Sequence, residues 1–271
     1  MSTDSAPSAL FEAMIAAAVQ AGRVAHDIYR AGFAVTRKAD HSPVTQADHA
    51  AEALILRALA QAAPGIPIVA EEEVAAGRVP VIGNRFFLVD PLDGTKEFVQ
   101  KRGDYTVNIA LIENGAPTLG VVYAPANSRL FAGEVGPRRA FRSDQSTDSH
   151  AMAPRRPIRV RPVPAAGLTV VSSRSHATPE TDAYLASYAV AERVSVGSSL
   201  KFCLVACAEA DLYPRLGPTM EWDTAAGHAV LLAAGGNVWG PGGVPLRYGK
   251  SGFRNPFFVA SGTLVPHQLA A

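Results

Sequence analysis

The sequence predicts a layered α/β fold of the α+β kind. Three observations carry that reading. Helical periodicity runs through most of the first sixty residues, β-branched alternation with turn signals follows, and strand and helix patterns then alternate towards the C-terminus. No GxGxxG or P-loop pattern appears, and this order of elements is neither a Rossmann fold nor a barrel. No internal repeat is visible.

The elements follow in order. Leu10, Met14, Ala17, Ala18, Ala21, Val24, Ala25 and Ile28 recur at helical spacing and predict a helix from about Ala9 to Tyr29, ended near Gly32. Thr45 or Asp48 can start a second helix with Ala51, Leu54, Ile55, Ala58 and Leu59 on its apolar face, stopped by Pro64-Gly65. "IPIVAEEE" reads as a short strand ending in three glutamates, and Phe86 to Val89 as a buried strand. Residues 105–135 read as antiparallel strands with turns at Asn114-Gly115 and Pro125-Ala126-Asn127. Residues 136–166, rich in Arg, Pro and Ser, read as a surface excursion between two halves. Beyond them come a strand and loop at "GLTVVSSRSH", a helix at "TPETDAYLASYA", a strand, turn and helix at "ERVSVGSSLKFCLVACAEADLY", and a helix at "EWDTAAGHAVLLAAGG".

Composition bounds the function. The 271 residues carry 48% apolar and 18% charged side chains, enough for a sizeable core and unlike a disordered chain. One catalytic domain, 1–271, is expected, made of two halves at about 1–135 and 167–271. A net charge of +1 gives no global field for nucleic acid or an anionic membrane. No run approaches a membrane span, and the N-terminus reads as an amphipathic helix with Glu12 inside it, not a signal peptide. Cys203 and Cys207, four apart in a predicted helix, read as reduced thiols in a cytoplasmic protein. Attachment to an inner membrane through a surface patch stays open, as does the choice between monomer and homodimer.

The chemistry concentrates in "DPLDGT", residues 90–95. Pro91 pushes Asp90 toward an extended backbone, and the chain then turns to bring Asp93 back beside it. Gly94 permits close approach, and Thr95 can cap the helix begun by "KEFVQKRG". Hard oxygen donors without His or Cys favour magnesium or manganese, and free N–H groups at a helix start attract phosphate. A bland alternative, an Asp-rich surface turn with a helix cap, fits the hexapeptide alone. Asp48, Glu71, Glu72 and Asp223 each sit where another apolar element starts or ends, which weighs against accident.

Taken together, "PVTQAD" (43–48), "VAEEE" (69–73), "DPLDGT" (90–95) and "WDTAAG" (222–227) resemble the magnesium-dependent, lithium-sensitive phosphatases of the inositol monophosphatase family, across nearly the whole chain. Lys96-Glu97-Phe98, "SSRSH" (172–176), "GSSLKFCLVA" (197–206) and residues 210–230 are most similar to its CysQ-type 3'(2'),5'-bisphosphate nucleotidases. Glu73, where a bacterial relative often has Asp, and the wording of "PTMEWD" depart from the pattern.

The resemblance implies an α-β-α-β-α sandwich and hydrolysis of 3'-phosphoadenosine 5'-phosphate to AMP and phosphate, linked to sulfate assimilation. It implies two or three magnesium ions, with manganese as a substitute, on Glu71, Asp90, the Leu92 carbonyl, Asp93 and Asp223. Glu71 and the Thr95–Asp48 pair would assist the attacking water, and the N–H groups of Gly94 and Thr95 would meet the phosphoryl group. Ser198 and Lys201 at a strand-to-helix turn, with His176 and Arg215, are expected to meet the rest of a small nucleotide. Singly each has a plain reading as cap, solvated charge or loop residue. His228 and Trp222 read as packed core. Two alternatives stand beside this one: an inositol or histidinol monophosphatase, and a non-catalytic sensor that kept the fold.

Overall fold

The structure, a computed structural model, describes residues 6–38, 43–173 and 179–269. It opens with α1 (Ala9–Ala31), whose Ser8 side chain accepts from the Phe11 N–H and whose end at Gly32 has φ 94°. A short antiparallel pair, β1 (Val35–Arg37) and β2 (Pro43–Thr45), leads into α2 (Gln46–Ala62). Thr45 caps α2 and Asp48 reaches back to the Thr45 N–H, so both predicted starting residues serve in one capping box.

The first sheet has seven strands in the order β3 (Ile68–Ala70), β4 (Arg85–Asp93), β5 (Thr106–Glu113), β6 (Ala116–Ala124), β7 (Arg129–Glu134), β8 (Arg139–Ser143) and β9 (Arg155–Pro157). Only its β3–β4 pair is parallel. Two short helices lie among these strands, α3 (Glu71–Ala75) and α4 (Thr95–Val99). The period-2 rule of a strand is visible in β4. Phe87 and Val89 face α1 and α2, while Phe86 and Leu88 face the opposite core.

The second sheet draws on β10 (Leu168–Ser173), β11 (Val190–Val196), β12 (Leu212–Arg215), β13 (Asn237–Trp239) and β14 (Phe258–Ser261), in the order β11-β10-β12-β14-β13. The helices α6 (Leu200–Ala206) and α7 (Glu221–Ala233) are buried between the sheets in one large core. The remaining helix, α5 (Pro179–Leu185), puts Leu185 against Leu168, Val170 and Leu212 on the outer face of the second sheet. The layers therefore run α-β-α-β-α, as the resemblance implies.

Gly120 and Gly133 explain how α7 lies so close to the first sheet. A Cβ on Gly120 would stand 2.4 Å from the Ala226 carbonyl, and one on Gly133 2.6 Å from the Val230 Cα. Side chains there would push the helix, and Asp223 at its start, away from β4.

Three expectations need correction. The glutamates after β3 do not merely end a strand; Glu71, Glu72 and Glu73 form the first turn of α3. Apolar periodicity stopped the predicted strand at Val89, but β4 continues to Asp93, because Asp90 pairs with Asn108 and Asp93 with Thr106 across an irregularity. Residues 136–166 are not only a surface excursion. They add β8 and β9 to the first sheet, and the alternation is masked by arginines at the half-buried and exposed positions of both strands.

Candidate active site

The end of β4 delivers the carboxylates. Asp90 is 1% exposed and accepts from the Leu92 N–H at 2.9 Å, which fixes the sharp turn around Pro91. Gly94, at φ 92°, is the residue before α4, and a Cβ there would meet the Asp104 carbonyl at 2.8 Å. Thr95 is thus the first helical residue and not the cap predicted for it; Gly94 holds the cap position because only a left-handed backbone closes the turn. The Thr95 hydroxyl lies 3.2 Å from Asp48 Oδ1 and 3.2 Å from the Leu92 carbonyl. Asp48 in turn accepts from Thr45 Oγ1 at 2.7 Å and the Thr45 N–H at 2.8 Å. A hydroxyl held by a buried carboxylate can orient a water.

Glu71 comes from the start of α3, and Asp223 from the first turn of α7, where its Oδ2 accepts from the Met220 N–H at 2.8 Å. Glu71, Asp93, Gly94, Thr95, Ser198, Lys201, Arg215 and Asp223 line one cleft of about 280 Å³. Asp48, Asp90 and Leu92 sit behind it, each at most 2% exposed. His176 lies outside the described residues.

The charges explain one another. Burial, then the charges of Glu71, Asp93 and Asp223, pushes the Asp90 carboxyl well above the usual range. Asp223 is raised by burial, Asp93 and Glu71. Asp93 is pushed up to about 6 by burial, although Lys201 and the Ser199 N–H pull it down. Burial also raises Asp48, against the hydrogen bonds from Thr45. On the facing wall, burial brings Lys201 down to about 8, opposed by Asp93. Its ammonium donates to the carbonyls of Val196 and Ser198. Arg215 donates to the Pro218 carbonyl at 2.9 Å, while its Nε and Ser198 Oγ are buried without a hydrogen-bond partner. Ser198 itself stands at φ 52°, ahead of the Ser199 cap position.

Several residues were not singled out from the sequence. Lys38 lies 2.6 Å from both Glu71 and Glu72; burial pulls its ammonium down, and the two glutamates hold it above the ordinary range. Its only sequence signal was a lysine shortly before "PVTQAD", facing a glutamate run that is remote in the chain. Ser199 ties the two walls together, donating to Asn108 Oδ1 at 2.7 Å with its hydroxyl 2.9 Å from Thr106 Oγ1. Asn255 braces the turn ahead of Asp223, its amide nitrogen 2.8 Å from the Met220 carbonyl and 3.0 Å from Thr224 Oγ1. His228 and Trp222 are buried, and His228 Nδ1 is 2.9 Å from the Tyr248 hydroxyl.

Among the described residues no three Asp, Glu, His or Cys side chains form a ready-made metal cage. Asp90 and Asp223 each turn an oxygen to a backbone N–H, and Glu71 turns to Lys38. The donor set nevertheless suits a hard divalent cation. Its members are oxygens gathered at one cleft, and burial together with the charges of Glu71 and Asp93 raises the Asp90 and Asp223 carboxyls. Glu71, Asp90, Asp93 and Asp223 could hold such ions.

The match to known proteins agrees with this architecture. The model of the inositol monophosphatase family matches residues 7–264. The chain belongs to the inositol monophosphatase family. Within it, the chain is 47% identical over 228 residues to the 3'(2'),5'-bisphosphate nucleotidase CysQ of Shigella flexneri, covering 84% of this chain and 88% of that one. The corresponding protein of Escherichia coli strain K12 is 46% identical over the same length. The crystal structure of CysQ from Bacteroides thetaiotaomicron superposes with a TM-score of 0.77 at 37% identity, covering 94% of this chain and 97% of that one. An inositol monophosphatase from Anabaena gives 0.72 at 26% identity, covering 94% and 91%. These family members share the layered fold described above. No helix among the described residues is long and apolar enough to cross a membrane.

Proposed function

We propose that this family member is a phosphoric monoester hydrolase, a 3'(2'),5'-bisphosphate nucleotidase that converts 3'-phosphoadenosine 5'-phosphate to AMP and phosphate. The observation that carries the proposal is the two-signed cleft: the carboxylates of Glu71, Asp93 and Asp223 on one wall, Lys201 and Arg215 on the other. A substrate with two phosphates needs both walls. The identity to the CysQ nucleotidases supports the same substrate class.

The first half, to about residue 135, would supply the metal donors apart from Asp223, and the half from about 167 would choose the substrate. Glu71, Asp90, the Leu92 carbonyl, Asp93 and Asp223 would hold magnesium, or manganese in its place. When bound, the ions supply Lewis acidity toward water and neutralise charge on the phosphate. Glu71 accepts a proton from the attacking water, and Thr95, held by Asp48, orients that water. The N–H groups of Gly94 and Thr95 face the phosphoryl oxygens. Ser198 Oγ and Arg215 Nε, both buried without partners, donate to the second phosphate, beside the Lys201 charge. Water is the direct nucleophile, and the product has the place in sulfate assimilation that the substrate implies.

The test is phosphate release with magnesium from 3'-phosphoadenosine 5'-phosphate and from inositol 1-phosphate at equal concentration. A strong preference for the nucleotide is expected. Preference for inositol phosphate would keep the metal chemistry and overturn the substrate assignment.

A further inference from the structure

The far edge of the first sheet holds a second concentration of charge that the catalytic cleft does not use. Between residues 136 and 161 stand seven arginines against two aspartates, in a chain whose net charge is only +1. Four of them, Arg138, Arg139, Arg155 and Arg159, rim a cleft of about 400 Å³ floored by Phe141 and Ile158. That volume lies in the range of small-molecule sites. No residue lining it lines the catalytic cleft. The two clefts are served by β8–β9 and by β4, and β8 is four strand positions from β4. That separation is about 19 Å at the usual interstrand spacing.

The four arginines are not equivalent. Arg139 is paired to Glu134, and Arg155 is held by Glu12 through two bonds of 2.6 Å. Arg155 also lies flat enough to place its guanidinium 4.6 Å from the Phe141 ring centroid. These two are fixed in place. Arg138 and Arg159 are exposed, and neither has a carboxylate partner among the described residues. Arg138 projects from a backbone at φ 53°, a conformation that disfavours any residue with a Cβ. A rim of two fixed and two free guanidinium groups over an apolar floor has a definite complement. The free pair offers bidentate donors to phosphate, and an arginine fixed on a ring offers a plane for stacking.

We infer that this edge cleft is a second, non-catalytic binding site for a nucleoside phosphate, with the phosphate between Arg138 and Arg159 and the base against the Arg155–Phe141 stack. The inference rests on no part of the catalytic reading, and its test separates the two. The probe is ADP, whose terminal phosphate is an anhydride and not a monoester, dialysed against the full chain in EDTA. The wild-type chain and Lys201→Ala, altered only in the catalytic cleft, should bind ADP alike, more weakly as salt rises. Arg138→Ala/Arg159→Ala should bind about tenfold or more weakly while hydrolysing the metal-loaded enzyme's substrate at the wild-type rate without ADP. Three results would overturn the site: equal ADP affinity in the wild type and the double variant, loss of ADP binding in Lys201→Ala instead, or a double variant that loses only adhesion to anionic phospholipid vesicles.

Discussion

The two walls of the catalytic cleft are charged oppositely and built differently. The acidic wall is mostly one short stretch, Asp90 to Thr95, supplemented by the ends of α3 and α7. Burial, with the Glu71 charge beside it, drives Asp93 up to about 6. The basic wall joins Lys201, in the first turn of α6, to Arg215, at the end of β12. Its lysine is driven down to about 8, yet it already donates to two carbonyls. On the proposed reading, the acidic wall takes an external cation to complete a charge balance that Lys38 and Lys201 supply only in part. The basic wall is largely satisfied by its own backbone and keeps only Ser198 Oγ and Arg215 Nε in reserve.

The largest effect should come from breaking the acidic wall. Asp93→Asn removes a donor shared by charge with Asp90 and Asp223, and turnover should fall on the order of 10³-fold, as for loss of a group that stabilises transition-state charge. Without metal the variant should melt no lower than the wild type, because one of several repelling buried carboxylates has become neutral. Full activity in this variant would remove the metal assignment.

This asymmetry also decides what the sequence could tell. The acidic wall was legible because a strand, a proline, a glycine and two aspartates stand within ten residues, and chain geometry alone brings them together. The same reasoning stopped β4 too early, since apolar periodicity says nothing of a ladder that continues through Asp90 and Asp93. It made Thr95 a cap because a hydroxyl before a helix usually is one, whereas the left-handed turn needs Gly94 there. Lys38 and Asn255 were not legible. Their partners, Glu71 and the Thr219–Thr224 turn, are more than thirty residues away, and only the packed layers bring them near. The β9 strand, at the sheet edge, and β8 beside it were hidden because arginines interrupt the alternation that marks a strand.

Breaking the basic wall should affect one substrate class. Lys201→Met removes a buried charge near Asp93 and the second phosphate's expected position. A hydrogen bond to a charged group is worth about 1.5–3 kcal/mol, so kcat/KM for 3'-phosphoadenosine 5'-phosphate should drop about 10–100-fold. The same variant should handle 3'-AMP, which lacks the second phosphate, within about threefold of the wild type by the same reasoning. Equal losses on both substrates would mean that Lys201 serves the reacting phosphate instead.

The walls should also separate in pH. A carboxyl whose folded pKa lies above its unfolded value costs stability above the folded pKa, and the cost fades as pH falls through it. Asp93 rises from 3.8 to about 6, and Glu52 and Glu72 rise to about 7, so metal-free protein should gain stability between pH 7.5 and 5.5. Lys201 has the opposite sign. Its folded pKa is depressed from 10.5 to about 8, so its cost is full below about 8 and fades as pH rises toward 10.5. A melting curve series in EDTA should therefore rise on the acid side of neutrality, by about 2–4 °C for each kcal/mol relieved. Saturating magnesium should cancel the Asp93 share of the acid-side gain and leave the Glu52 and Glu72 share and the alkaline limb. A metal-free melting temperature that falls steadily from pH 7.5 to 5.5 would contradict the shared-charge account of the acidic wall.

The smallest effect sharpens the role of Asp48, which stands behind the acidic wall and not in it. Thr45 serves two ends, capping α2 through the Ala47 N–H at 3.1 Å and donating its hydroxyl to Asp48 at 2.7 Å. Thr45→Ala should cost about 1 kcal/mol as a lost cap. It should also move the acid limb of the kcat/KM profile to higher pH. Burial already raises the Asp48 carboxyl, and the Thr45 hydroxyl is one of the bonds holding it down. With that bond gone, Asp48 protonates earlier and releases the Thr95 hydroxyl it orients. Thr45→Ser keeps both bonds and should restore the limb as well as the stability. A variant that loses stability while its pH profile stays in place would make Thr45 a helix cap alone, and Asp48 a member of that cap with no part in orienting water.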